Sequence, residues 1–158
     1  MRVLGIDPGT RVTGYGVIES SNGAPGFGRL VECGVLRFGR TSTLPRRLAE
    51  LHEGIAELIA RHRPSALALE NAFYHKNVRT TLVLGHARGV ILLAAEQAGL
   101  DIAEYPPATV KKTVVGLGGA RKVQVAAMVA RLLRLRRAPT PSDAADGVAV
   151  ALTHVLRA

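Results

Sequence analysis

The sequence predicts an α/β fold: a mixed sheet, made of a three-stranded antiparallel meander and two further strands, flanked by helices. Two observations predict it. Short apolar runs separated by turn residues crowd the first forty positions, and amphipathic stretches then alternate with further short apolar runs. With 158 residues and 47% apolar side chains there is enough chain for a substantial core, and the simplest organisation is one domain over residues 1–158.

Residues 2–7 read as a first strand and residues 12–18 as a second, with Pro8-Gly9-Thr10-Arg11 as the turn between them. A Ser-, Gly- and Asn-rich loop over 20–26 leads to a third strand over 30–38. A helix follows over 44–62, where Leu44, Leu48, Leu51, Ile55, Leu58 and Ile59 recur at helical spacing until Pro64 stops it. Residues 66–69 form a fourth strand, and residues 78–98 a helix capped by Gly99. Residues 101–105 form a fifth strand ended by Pro106-Pro107, and residues 120–136 a further amphipathic helix. Pro139 and Pro141 break the chain, and Ser142 opens a last helix to about residue 156. The expected order is β-β-β-α-β-α-β-α-α.

Four acids stand out against this frame. Asp7 and Glu70 each close a short apolar run, where a lone carboxylate is costly, and Asp143 and Asp146 lie three apart in the last helix and share a face. Strand alternation sends Leu4, Ile6, Leu67 and Leu69 one way and Val3, Gly5, Asp7, Ala66, Ala68 and Glu70 the other. The small residues on the acid-bearing side suggest room beside the carboxylates. Taken singly each acid has an ordinary explanation: a turn residue at Asp7, an ion-paired strand end at Glu70, a favourable helix N-terminus at Asp143 and Asp146. Brought together, each pair at about 5 Å would repel by roughly 3 kcal/mol at an effective dielectric of about 20. Shared divalent cations remove that cost, and two oxygen-ligated Mg²⁺ or Mn²⁺ ions are the chemistry of phosphodiester hydrolysis.

The remainder of the chain is cationic, with a net charge of +9, which suits a polyanion such as nucleic acid. The one cysteine, Cys33, excludes an intramolecular disulfide, and too few ligands remain for a zinc cluster. No run of apolar residues reaches the roughly 18–20 needed to span a membrane, and the N-terminus lacks a secretory pattern. A cytoplasmic protein without a membrane partner is expected. Beyond Glu70, Phe73 and Tyr74 beside Lys76 suit stacking or wedging into opened DNA. Lys111, Lys112, Arg121 and Lys122 are candidate phosphate contacts. Lys122 is favoured because a cation at a helix start opposes the dipole unless something else holds it. Arg131, Arg134, Arg136 and Arg137 read as a solvated helix end, with phosphate contact as the alternative. The helix over 78–98 is apolar around much of its circumference, and the surplus suits a twofold interface or a fully buried core helix.

The chain resembles the RuvC family of Holliday junction resolvases. The resemblance rests on Gly5-Ile6-Asp7-Pro8-Gly9-Thr10-Arg11-Val12-Thr13-Gly14-Tyr15-Gly16-Val17-Ile18, on Glu70 with Phe73 and Lys76-Asn77, and on the run from Leu84 to Val90. It continues through the run from Val110 to Gly116 and that from Asp143 to Ala149. It implies an RNase H-like fold, a homodimer, and paired symmetric nicking of four-way DNA junctions with Mg²⁺ or Mn²⁺, two per active site. The family's catalytic acids fall on Asp7, Glu70, Asp143 and Asp146, and its functional lysines on Lys111 and Lys122. Some relatives carry His at the third acid position, so Asp143 makes this metal set all-carboxylate. A branch-migration motor is an implied partner. Two other functions compete. Gly5-Ile6-Asp7-Pro8-Gly9-Thr10 also resembles the phosphate loop of actin and sugar kinases, but those proteins enclose nucleotide between two lobes and this length supplies one. A catalytically inactive, structure-selective DNA-binding module explains the charge but leaves the acids as an uncompensated cost.

Overall fold

The computed structural model describes residues 1–21, 27–39, 42–72 and 76–158. Its elements are β1 (Arg2–Asp7), β2 (Val12–Glu19), β3 (Arg29–Arg37), α1 (Leu44–His62), β4 (Ala66–Glu70), α2 (Val78–Gln97), β5 (Asp101–Tyr105), α3 (Pro107–Val115), α4 (Lys122–Leu132) and α5 (Ser142–Arg157). The strands form one five-stranded sheet in the order β3-β2-β1-β4-β5. The first three make an antiparallel meander, whereas β4 and β5 join parallel to β1 through helical crossovers.

Helices cover both faces. On one face Leu4, Ile6, Tyr15, Val17, Leu67 and Leu69 pack against Leu51, Ile55 and Leu58 of α1 and Ala87, Ile91, Ala94 and Ala95 of α2. On the other, Val3, Ile18 and Ala68 pack against valines of α3 and α4 and the run from Val148 to Leu152 of α5. The strand alternation read from sequence is therefore the division between two cores. Each large side chain so buried contributes roughly 1.5–3 kcal/mol.

Two local expectations are corrected and a third gains its occupant. Residues 107–115 form the helix α3, because Pro107 occupies its first turn, where a missing N–H costs nothing. Helix α4 spans Lys122–Leu132 rather than 120–136, since Arg134 turns left-handed at φ 55°. The room left by the small residues beside the carboxylates is taken up by α5. A Cβ on Gly5 would overlap the backbone of Gly147 and Ala151, and one on Gly14 would overlap the carbonyl of Asp143. Helix α5 lies backbone against backbone on β1 and β2, and the missing side chains are what permit it.

Candidate active site

Asp7 and Glu70 end neighbouring parallel strands. The register pairs Ile6 with Leu69, so the next residues stand side by side at the carboxyl edge of the sheet, the customary ligand site of open parallel sheets. Both lie on the face that carries α5, and α5 adds Asp146. A cavity of about 180 Å³ is lined by Asp7, Glu70 and Asp146 together with Lys111 and Lys122. A larger groove of about 690 Å³ shares Asp7, Glu70, Pro107 and Lys122 with it and runs toward Thr81, Leu84 and Arg88 of α2.

The electrostatics follow from that crowding. Burial first, then a hydrogen bond with Glu70 and the charges of Glu70 and Asp146, push the Asp7 carboxyl well above the usual carboxylate range. Two carboxyl groups within hydrogen-bond reach share a proton more easily than they share two negative charges. Lys122 Nζ stands 3.2 Å from Asp146 Oδ2, and this carboxylate, followed by the charges of Asp7 and Asp143, raises the lysine pKa. Among the described residues, no three acids or imidazoles are gathered closely enough to enclose one metal ion in this arrangement. Lys122 supplies positive charge at the mouth of the acid cluster instead. The donor set still fits a hard cation: all-oxygen ligands, mutual repulsion, and an Asp7 whose ionised form Lys122 compensates only in part.

The chain as a whole is similar to known proteins. The family described as "Crossover junction endodeoxyribonuclease RuvC" matches residues 3–154. The chain belongs to the RuvC family. A RuvC of Halorhodospira halophila is 54% identical over 97% of this chain and 89% of its own length, and that of Azorhizobium caulinodans is 48% identical over 98% and 89%. Among solved structures, Thermus thermophilus RuvC in complex with Holliday junction substrate aligns with a TM-score of 0.91 at 37% identity, covering 99% of this chain and 94% of that one. A yeast mitochondrial Holliday junction resolvase, at 14% identity and a TM-score of 0.69, shares the fold. The chain is thus a RuvC-family endodeoxyribonuclease with the α/β architecture expected of it.

Within the RuvC frame the expected site residues divide. Asp7, Glu70, Asp146, Lys111 and Lys122 share the small cavity. Asp143 is part-buried one helical turn before Asp146, outside the lining of either cavity, and its charge reaches Lys122. Lys76, Lys112 and Arg121 are exposed and line neither cavity. Phe73 and Tyr74 lie outside the described residues. Asn71 escaped notice in the sequence. It lines the larger groove and is buried, and its Oδ1 has no hydrogen-bond partner. Only its position next to Glu70 would have drawn attention to it. Arg88 was likewise unmarked; it grips Glu104 of β5 through two bonds of 2.7 and 2.8 Å and so ties α2 to the groove.

Proposed function

We propose that this nuclease resolves four-way DNA junctions by paired symmetric nicks during recombination and repair. Asp7, Glu70, Asp143 and Asp146 are its catalytic metal ligands. One observation carries the assignment: acids from β1, β4 and α5 share one cavity where burial, then their mutual crowding, disfavours the ionised form of Asp7. Two Mg²⁺ or Mn²⁺ ions, when bound, supply the charge that polarises the scissile phosphate and favours ionisation of the attacking water.

The chain's own side chains supply position and charge. Asp7 and Glu70, fixed at strand ends, form the rigid wall of the site. Asp146 reaches it from α5, and Asp143, one turn earlier, completes the acid set with a charge that acts on Lys122. Lys122 exchanges its bond to Asp146 for the DNA phosphate, and Lys111 holds the same phosphate from α3. Lys76, Lys112 and Arg121, all exposed, contact the backbone beyond the cut. Phe73 wedges into the opened junction and Tyr74 stacks beside it, on the sequence argument alone.

Paired nicks require two sites on one junction, hence a homodimer. Helix α2 supports this reading: Val78, Leu82 and Leu93 are 74, 62 and 52% exposed on an element otherwise anchored by Ala87 and Ile91. α2 is also long and apolar enough to cross a membrane. Its core contacts and Arg88–Glu104 pair favour a second copy of the chain as the occupant of its apolar surface. A branch-migration motor and a cytoplasmic setting complete the proposal.

The test is cleavage of a synthetic four-way junction with Mg²⁺, Mn²⁺ or EDTA. Symmetric nicks that require the metal are expected, and Asp7→Asn should bind the junction without cutting it. Full cutting by that variant, or binding by the wild type with no cutting under any metal, would remove the catalytic assignment.

A further inference from the structure

A second charged region lies away from the carboxylates. Arg131, Arg134, Arg136 and Arg137 fall within seven positions at the end of α4 and in the linker to α5, and all four are exposed. Among the described residues the ion pairs involve other cations, so this cluster stands uncompensated. Three of its arginines, with Leu135, Leu30 and Cys33, line a shallow groove of about 500 Å³ against β3. The acid beside Cys33, Glu32, is turned to the opposite face, where it pairs with Arg61 and accepts from Tyr15.

Placement gives this patch meaning. Cys33 and Leu30 sit on the α5 face of the sheet, as Asp7 does. β3 is the edge strand, two strands from β1, or roughly 10 Å across the sheet. The groove and the cavity thus flank α5 on one face. A duplex, about twice that width, leaving the cavity along the exposed side of α4 would lie across the arginines. Arg134 adds a local clue: it holds φ 55° just beyond the end of α4, where glycine would be the relaxed choice. Retaining a side chain there strains the backbone. Arg63 makes the same kind of turn after α1, so the strain supports the charge argument and does not replace it.

We infer that the groove formed by the α4–α5 linker and β3 is a second DNA-backbone site, which holds a duplex arm of the junction outside the region that is cut. The inference rests on the junction-binding reading above. Its ligand is the phosphodiester backbone, recognised by charge and without base contacts, which suits arginines on an open groove.

The test compares the wild type with Arg134→Gln/Arg136→Gln/Arg137→Gln and with the matching triple Lys variant. Junction affinity is measured across a salt series. Loss of about three phosphate contacts should reduce the slope of log affinity against log salt by about 2–3, and the Lys variant should restore it. Cys33, the chain's one cysteine, gives an independent readout, since a bound arm should slow its alkylation by maleimide. Arg134→Gly controls for folding: it relieves the left-handed strain, so its melting temperature should hold or rise while its salt slope falls by about 1. An unchanged slope in the Gln variant, or Cys33 equally reactive with and without junction, would overturn the inference, and would do so even if the patch proved to bind an acidic protein. Failure of the wild type to bind junctions would instead overturn the reading beneath it.

Discussion

The two faces of the sheet are built by different means. Against α1 and α2 the sheet presents Leu4, Ile6, Leu67 and Leu69, and large side chains interdigitate. Against α5 it presents Gly5 and Gly14, and backbones touch. Side-chain packing tolerates repacking, because rotamers adjust to a changed volume. Backbone contact has no such slack. The face that carries Asp7, Glu70 and Asp146 is therefore the one with the least freedom, which suits carboxylates that must hold their places to within fractions of an ångström.

The largest expected effect comes from putting a methyl group into that contact. Gly5→Ala would collide with the α5 backbone and should cost about 3 kcal/mol or more in urea unfolding. Gly14→Ala, which meets the Asp143 carbonyl, should lower cutting further than its stability loss alone would explain. Ile55→Ala on the opposite face should cost a comparable 2–5 kcal/mol yet leave nicking intact wherever the variant is folded. If Ile55→Ala and Gly14→Ala lost activity in equal proportion to stability, the two faces would not differ in kind.

Next in size is the electrostatic cost of Asp7. Its folded pKa lies above the ordinary 3.8, so the native state keeps a proton that the unfolded chain releases. Stability of the metal-free protein should fall as pH rises from about 4 through neutrality. Asp7→Asn removes that burden. In EDTA its melting temperature should exceed the wild type's, by an amount corresponding to a few kcal/mol near pH 8 and less near pH 5. Equal melting curves at pH 8 would mean that neither burial nor the neighbouring Glu70 and Asp146 burdens Asp7.

The two faces also differ in how far they could be read from sequence. Alternation in β1 and β4 assigned Leu4, Ile6, Leu67 and Leu69 to one side and the acids to the other, because a period of two is a local property of a strand. A glycine in a strand signals close approach but does not name what approaches, so the room beside Gly5 could be read while its occupant, α5, could not. The ion pair of Lys122 with Asp146 joins residues 24 apart across two helices, and no local pattern encodes it. Helix α3 was hidden because adjacent prolines end a strand and begin a helix equally well. The acids were legible for the opposite reason: charge at the end of an apolar run is anomalous wherever the chain later goes.

A smaller effect isolates Lys122. Its side chain is 73% exposed, so Lys122→Ala should leave the melting temperature nearly unchanged. Cutting should nonetheless fall by one to two orders of magnitude or so, if the ammonium passes from Asp146 to phosphate as proposed. Loss of stability without loss of cutting would make the lysine a structural partner of α5 only.

The smallest effect sharpens the contrast within a single residue. The backbone of Tyr15 lies against Gly147 on the α5 side, whereas its ring belongs to the α1–α2 core and its hydroxyl donates to Glu32 at 2.8 Å. Burial, then the hydrogen bond and the charge of Glu32, push the phenol up to about 12. The native protein therefore keeps the phenolic proton between about pH 10 and 12 while the unfolded chain loses it, and stability declines across that window. Tyr15→Phe should cost about 1 kcal/mol at neutral pH, flatten the alkaline decline and leave junction cutting unaltered. A change in cutting would show that the side-chain face also positions the site, and the division of labour between the two faces would fail at the residue that touches both.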